Sequence, residues 1–385
     1  MSRWQVPLAD VVVPEDDIAV VADVYRSGWL SMGPRTAEFE RALAAYTGAR
    51  HALAVANGTA ALHLICLAAG LGPGDEVIVP SLTFVASVNA IAYTGATPVF
   101  ADIAALETPW PAAGAVEAAI TPRTSAIMAV AYGGHPGEVS RLRELADARG
   151  LLLLEDAAHA IGVRHDGRHV GTFGAAGAFS FFSNKNLAVG EGGAIVTDDD
   201  ALAERMRLLR SHGMTTLTWD RHRGHAAGYD VVALGFNHRI DEPRAALATA
   251  RLARLDAETA RRRELDARYR ERLPRAIVPT AGPAHHIFTV VLGEGVDRDG
   301  VRAALHERGI QTSLHYPPVH RFSIYADVAP VLPLTDAYAA RAITLPLFAG
   351  MTDAQLDLVV DALAAQPLGR LRDPVAHADA GPPAE

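Results

Sequence analysis

HALAVANGTAALHLICLAAGLGPGDEVIVP, residues 51 to 80, decides the fold. HALAVA has the length and apolar character of a short buried strand, and NGTAALHLICLAAG follows with apolar residues at helical spacing. GPGDE reads as a turn, and VIVP is apolar and β-branched again. Outward from there the alternation continues. A helix is predicted over about Thr83 to Tyr93, then a strand in TPVFADI (97–103), another in SAIMAVAYGG (125–134), a helix in VSRLRELADARG (139–150) and a strand in LLLLEDAAHA (151–160). Short strands that are apolar throughout, joined by helices, imply a parallel sheet wrapped on both faces.

Upstream, residues 14–27 and 35–47 carry helical periodicity with acidic first turns. GWLSMGP (28–34) between them is a loop whose Trp29 either lines a pocket or packs as part of a connector. Downstream come a helix near 199–212 and a polar, His- and Arg-rich loop from Gly213 to Asn237. Asp241 as cap and Pro243 in the first turn then open one long helix to about Leu273. Residues 285–366 mix strands (HHIFTVVL, ITLPL) with helices. The expected organisation is an N-terminal arm (1–14), a large domain (15–240), a smaller α+β C-terminal domain with its linking helix (241–367), and a tail (368–385) rich in Pro, Ala and Asp that is expected to be disordered.

The 385 residues carry a net charge of -9, which argues against nucleic acid or an anionic membrane as partner, although arginine clusters such as Arg221 to Arg223 can still meet a phosphorylated small molecule. Cys66 is the only cysteine, so neither an intramolecular disulfide nor a cysteine metal site is possible, and no metal is expected. MSRWQVPLAD lacks a basic segment followed by an apolar core, and no apolar run reaches membrane-span length. A cytoplasmic protein is expected. No GxGxxG follows the first strand, which disfavours a dinucleotide-binding oxidoreductase.

Thirty-four of the thirty-five Lys and Arg residues are arginine; Lys185 is the only lysine. Arginine can replace lysine wherever positive charge suffices, but a guanidinium cannot form a Schiff base. Arginine-rich coding bias would leave the same count. Two further signals bear on it. NGTAAL, at Asn57 to Leu62, opens a helix after a strand, where Gly58 permits close backbone approach, free N–H groups favour an anion and Thr59 adds a hydroxyl. The same tripeptide also serves as a turn and cap. Glu155 and Asp156 stand at the carboxyl end of an apolar strand, the edge at which α/β sheets bind ligands, although Asp also suits a helix N-cap. His159 follows, either touching the same ligand or satisfying a core hydrogen bond, and Ser180 offers a hydroxyl ahead of the lysine. A phosphate cup, a strand-end Asp and a lone Lys are the groups that pyridoxal 5'-phosphate requires.

Ordered motifs carry a resemblance from about Gly28 to Leu347: GWLSMGP, VANGTAAL, GDEVIVPSLTFVAS, GATPVFADI, LLLLEDAAHAIG, FSFFSNKNL with GEGGAIVT, LRSHG, LGFNHRIDE and GIQTSLHYPPVH. In these the chain resembles the DegT/DnrJ/EryC1/StrS sugar aminotransferases, of the aspartate-aminotransferase fold (fold type I). The resemblance implies a mixed, mostly parallel sheet wrapped by helices, a smaller C-terminal domain, and a homodimer with shared active sites. It implies that Lys185 forms the Schiff base and carries the proton, that Asp156 pairs with the pyridine nitrogen and that His159 sits near the ring's phenolic oxygen. Phe84 would stack on the ring, Gly58, Thr59 and Ser180 would hold the phosphate, and Asn237 would reach it from the other subunit. Trp29, Arg239, His315 and Tyr316 resemble positions near the substrate. Phe182-Ser183-Asn184 replaces a histidine that a subset acting on nucleotide-linked 4-keto sugars carries, and Pro243 stands where an apolar helix residue is usual. Lys185 argues against the dehydratase branch, which has histidine there. The activity implied is transfer of an amino group from L-glutamate or L-glutamine to a nucleotide-linked keto sugar. A keto-cyclitol acceptor and a non-catalytic sensor that binds the cofactor are the alternatives.

Overall fold

The computed structural model describes residues 4–216, 222, 224, 228–274, 285–328 and 330–369. Arg221, Arg223 and the tail beyond residue 369 lie outside the described residues. Two helices, α1 (Glu15–Ser27) and α2 (Pro34–Thr47), precede β1 (His51–Val55) and α3 (Gly58–Ala68). There follow β2 (Glu76–Pro80), α4 (Val85–Ala92), β3 (Thr97–Ala101), α5 (Ala113–Ala118), β4 (Thr124–Val130), α6 (Val139–Arg149) and β5 (Leu152–Asp156). A short hairpin, β6 (Arg164–His165) with β7 (Arg168–His169), leads to β8 (Ala176–Ser180), β9 (Gly193–Thr197) and α7 (Asp200–Arg210).

Among the described residues seven strands form one sheet in the order β1-β9-β8-β5-β4-β2-β3. The pairs from β8 through β5, β4 and β2 to β3 are parallel, as the alternating pattern implies. β9 departs from it, pairing antiparallel with both β8 and β1. Side chains along each strand alternate between two covered faces. Val77 and Val79 join the cluster under α3, α4 and α7, whereas Ile78 between them joins the cluster under α5 and α6. A third cluster packs α2 against Ala54, Phe179 and Val196. Cys66 is buried in α3, and burial pushes its thiol up to about 12.

The single helix expected from Asp241 to Leu273 is two helices, α8 (Glu242–Leu252) and α9 (Leu255–Arg272). The start was read correctly: Asp241 caps Arg244 N–H at 3.1 Å and Pro243 occupies the first turn. The junction contains neither Gly nor Pro. It is fixed by tertiary anchors on both sides, Leu252 and Leu255 in the cluster with α2, and Arg251 and Arg254 on the buried carboxylate of Asp17 at 2.9 and 2.7 Å. Beyond it, β10 (Phe288–Val291) pairs antiparallel with β11 (Ala342–Leu345), covered by α9, α10 (Arg298–Glu307) and α12 (Asp353–Ala364), with α11 (Pro333–Arg341) leading into β11. Val6 of the N-terminal segment is buried in this last cluster. No helix among the described residues is long and apolar enough to cross a membrane.

Glu242 ties the chain together across 206 to 209 residues. Its buried carboxylate accepts from the backbone N–H groups of Gly33 (2.8 Å), Arg35 (2.7 Å) and Thr36 (2.9 Å) and from the Thr36 hydroxyl (2.6 Å). It is thus the cap that α2 lacks locally. In Glu242→Gln an amide N–H would face donors, leaving buried groups unpaired. The substitution is expected to lower stability by about 3 kcal/mol, read as a lower urea midpoint; an unchanged midpoint would mean the cap contributes nothing.

Candidate active site

The segments leaving β1, β2, β4, β5 and β8 at their carboxyl ends enclose a cavity of about 620 Å³, large enough for a cofactor and a substrate together. Gly58, Thr59, Phe84, Asp156, His159, Ser180, Lys185, His315 and Tyr316 all line it. Trp29, Asn237 and Arg239 do not line it. Trp29 packs its ring 4.7 Å from that of His222; Asn237 is exposed, its backbone bridging Ser211; and Arg239 bridges Val55 through its backbone at the end of β1.

At one wall α3 begins. Asn57 caps it, its side chain accepting from Ala60 N–H at 2.8 Å, which leaves the N–H groups of Gly58 and Thr59 directed outward. A Cβ on Gly58 would stand 2.9 Å from the Cβ of Ser180, so only glycine lets β8 and the helix start meet. The result is an anion cup of backbone N–H groups with the Thr59 and Ser180 hydroxyls beside it.

Asp156 closes β5. Its two oxygens accept from the Ser87 hydroxyl (2.6 Å) and from Ala158 N–H (3.1 Å), and Ser87 in turn lies 2.7 Å from the Thr83 hydroxyl. Burial pushes the carboxyl up, while these donors and the charge of Lys185 act the other way. Glu155, expected at the same edge, faces away, because neighbouring side chains on a strand point to opposite faces. It accepts from Gly171 and Gly174 N–H at 2.7 and 2.6 Å, and burial pushes it up to about 7.

Lys185 sits in the connection between β8 and β9. Burial pulls its amine down to about 8, with Asp156 opposing, and no described residue accepts a hydrogen bond from it. His315 is held down to about 4 by burial and by the lysine charge, and His159 and His286 lie well below the usual histidine range for the same reasons. The Phe84 ring, exposed into the cavity, stands 5.6 Å from that of Tyr316.

A model of the DegT/DnrJ/EryC1/StrS aminotransferase family matches residues 12–364. The chain belongs to this family. Similar solved structures include the aminotransferase TlmJ from Streptoalloteichus hindustanus, 34% identical over 93% of this chain and 98% of that one, with a TM-score of 0.87. DesV from S. venezuelae is 40% identical over 91% of this chain and 93% of its own (TM-score 0.83). DesI, solved in the presence of its TDP-sugar product, is 36% identical over 94% and 92% (TM-score 0.83). The chain is therefore a sugar aminotransferase by family, with the fold type I architecture.

Enzymes of the DegT/DnrJ/EryC1/StrS family use pyridoxal phosphate. The residues here fit that group on three observations: a cup at Gly58 from which a Cβ would be excluded, a buried carboxylate facing the cavity, and beside it a buried lysine amine that no described residue takes as a hydrogen-bond donor. Gly58, Thr59 and Ser180 would take the phosphate, Asp156 the ring nitrogen, Lys185 the aldehyde carbon and Phe84 one ring face. Among the described residues no His, Cys, Asp and Glu cluster could hold a metal.

Sequence reasoning passed over Ser87, which holds the Asp156 carboxylate, and Thr83, which bonds the Ser87 hydroxyl. The signal was present in SLTFVAS, where the two hydroxyls stand four apart at a helix start. It also passed over the ring wall that His63, Tyr93 and His238 contribute to the cavity lining.

The single lysine makes the amine directly measurable. In the cofactor-free protein, labelling of Lys185 by fluorodinitrobenzene, separated from Met1 by peptide mapping, is expected to rise with pH and level off above about 8. A rate still rising as far as an ordinary lysine, near pH 10.4, would mean burial does not act on the amine.

Proposed function

We propose that the protein transfers the amino group of L-glutamate or L-glutamine to the ketone of a nucleotide-linked sugar, in the cytoplasm and as a homodimer whose partner contributes Asn237 to the site. The observation that carries this reading is the convergence of Lys185, Asp156 and the Gly58 cup on one cavity of about 620 Å³. DesI, covered over 92% of its own chain, was solved in the presence of its TDP-sugar product, which supports the acceptor class. Asn237 is exposed while its neighbour His238 lines the cavity, which suits a residue serving a second copy.

Bound pyridoxal phosphate supplies an electron sink for the carbon that loses or gains the amine. The chain supplies the rest. Lys185 Nζ would hold the cofactor until the donor amine takes its place; as the free amine that burial favours it would then take up the donor's α-proton, and as the resulting ammonium it would deliver that proton on the cofactor side. Asp156, braced by Ser87 and Ala158 N–H, would set its negative charge against the ring nitrogen. Donor and acceptor occupy the site in turn, so the kinetics are ping-pong.

A second reading, a keto-cyclitol acceptor, is favoured by the lining itself. Among the described lining residues Lys185 is the one Lys or Arg, so the described lining offers a diphosphate no arginine, and Phe182-Ser183-Asn184 replaces the histidine of the nucleotide-sugar subset.

Purified protein is expected to carry a visible band that borohydride bleaches with the label on Lys185. Lys185→Ala is expected to lose the band and about 10³-fold or more of activity. The pyridoxamine form is then offered a nucleotide keto sugar or a keto-cyclitol. Return of the band with the first alone supports the proposal, with the second alone the cyclitol reading, and with neither removes both.

A further inference from the structure

Gly133 N–H donates to His159 Nδ1 at 3.2 Å, so that nitrogen carries a lone pair. A neutral imidazole then bears its proton on Nε2. Nε2 lies 3.0 Å from the Tyr316 hydroxyl, so the ring donates and the tyrosine oxygen accepts. A doubly protonated ring would turn Nδ1–H against Gly133 N–H, and burial with the charges of Lys185 and His315 holds His159 neutral in any case. The hydroxyl proton of Tyr316 is therefore left over. No described residue accepts it, burial holds the phenol protonated, and the residue lines the cavity together with Lys185 and Phe84.

We propose that Tyr316 donates its hydroxyl proton to an oxygen bound in the cavity beside Lys185, and that His159 is the positioning residue that fixes this direction. Both His159 nitrogens are spent on Gly133 and Tyr316, so the histidine has no proton to give to a bound molecule. The hydrogen bond to an oxygen in the cavity, which the family resemblance would place near His159, passes to Tyr316. The acceptor is an anionic or carbonyl oxygen, and it has two sources: the phenolic oxygen of the bound cofactor, or the ketone oxygen of the incoming acceptor. The inference rests on the cavity being the cofactor site proposed above.

The test uses holoenzyme carrying Tyr316→Phe, His159→Gln or His159→Leu, with thermal midpoints checked against the parent. Losing a hydrogen bond to a charged oxygen costs about tenfold or more. If the oxygen belongs to the cofactor, Tyr316→Phe shifts the pH midpoint of the visible band upward by about one unit, because the deprotonated form bears the more exposed phenolate. If it belongs to the ketone, the midpoint stays and the single-turnover rate of the acceptor half-reaction falls by about tenfold. His159→Gln, whose amide can accept from Gly133 and donate to Tyr316, is expected to stay near the parent, and His159→Leu to follow Tyr316→Phe. Tyr316→Phe unchanged in both readouts overturns the proposal, and His159→Gln behaving as His159→Leu removes the role given to His159. A band that reduces onto Lys185 beside a silent Tyr316→Phe sinks this inference alone; no such band sinks the cofactor reading and this inference with it.

Discussion

The site depends on two backbones approaching more closely than side chains would permit. A Cβ on Gly193 would stand 2.5 Å from the carbonyl carbon of Asn57, and one on Gly58 would stand 2.9 Å from the Cβ of Ser180. The start of α3, the end of β8 and the start of β9 are thereby pressed into one unit. Behind them α3 is anchored by Leu62, Leu64 and Ile65 in the core, so the unit cannot shift without opening packed apolar contacts. The reversal of β9 follows the same logic. Because β8 and β9 are antiparallel, the segment joining Ser180 to Gly193 stays at the carboxyl edge of the sheet, and Lys185 within it is delivered to the edge where the other strand ends converge.

Within that frame the electrostatics run one way. Burial works against charge on Lys185, Asp156, His159, His286 and His315 alike. Only Asp156 is supplied with neutral donors, Ser87 and Ala158 N–H, that favour its ionised form. A pocket arranged so is poor in its own charge and rich in oriented dipoles, which suits a ligand that brings a phosphate and a ring nitrogen with it.

Much of this was legible in the residues. Apolar alternation from His51 to Ala160 carries the sheet and its helices, and the lone lysine, Asn57-Gly58-Thr59 and the strand-end Asp156 stand out in the sequence as residues that the fold brings to one cavity. What was not legible depends on distance in space. Nothing local in GGAIVT distinguishes an antiparallel strand from a parallel one, since both are buried on two faces. The helix break after Leu252 has no Gly or Pro to announce it; the contacts on either side of it reach α2 and Asp17, more than two hundred residues away. Glu155, by contrast, was readable: strand alternation alone assigns it to the face opposite Asp156.

The Glu242 cap also bears on the order in which the chain can mature. The first turn of α2 is complete only when a carboxylate 206 to 209 residues downstream arrives. As the N-terminal segments leave the ribosome first, α2 spends the synthesis of the entire sheet with an open end. The loop before it, with Trp29, is set only as α8 docks. Assembly of this corner thus reports that the sheet behind it has been made.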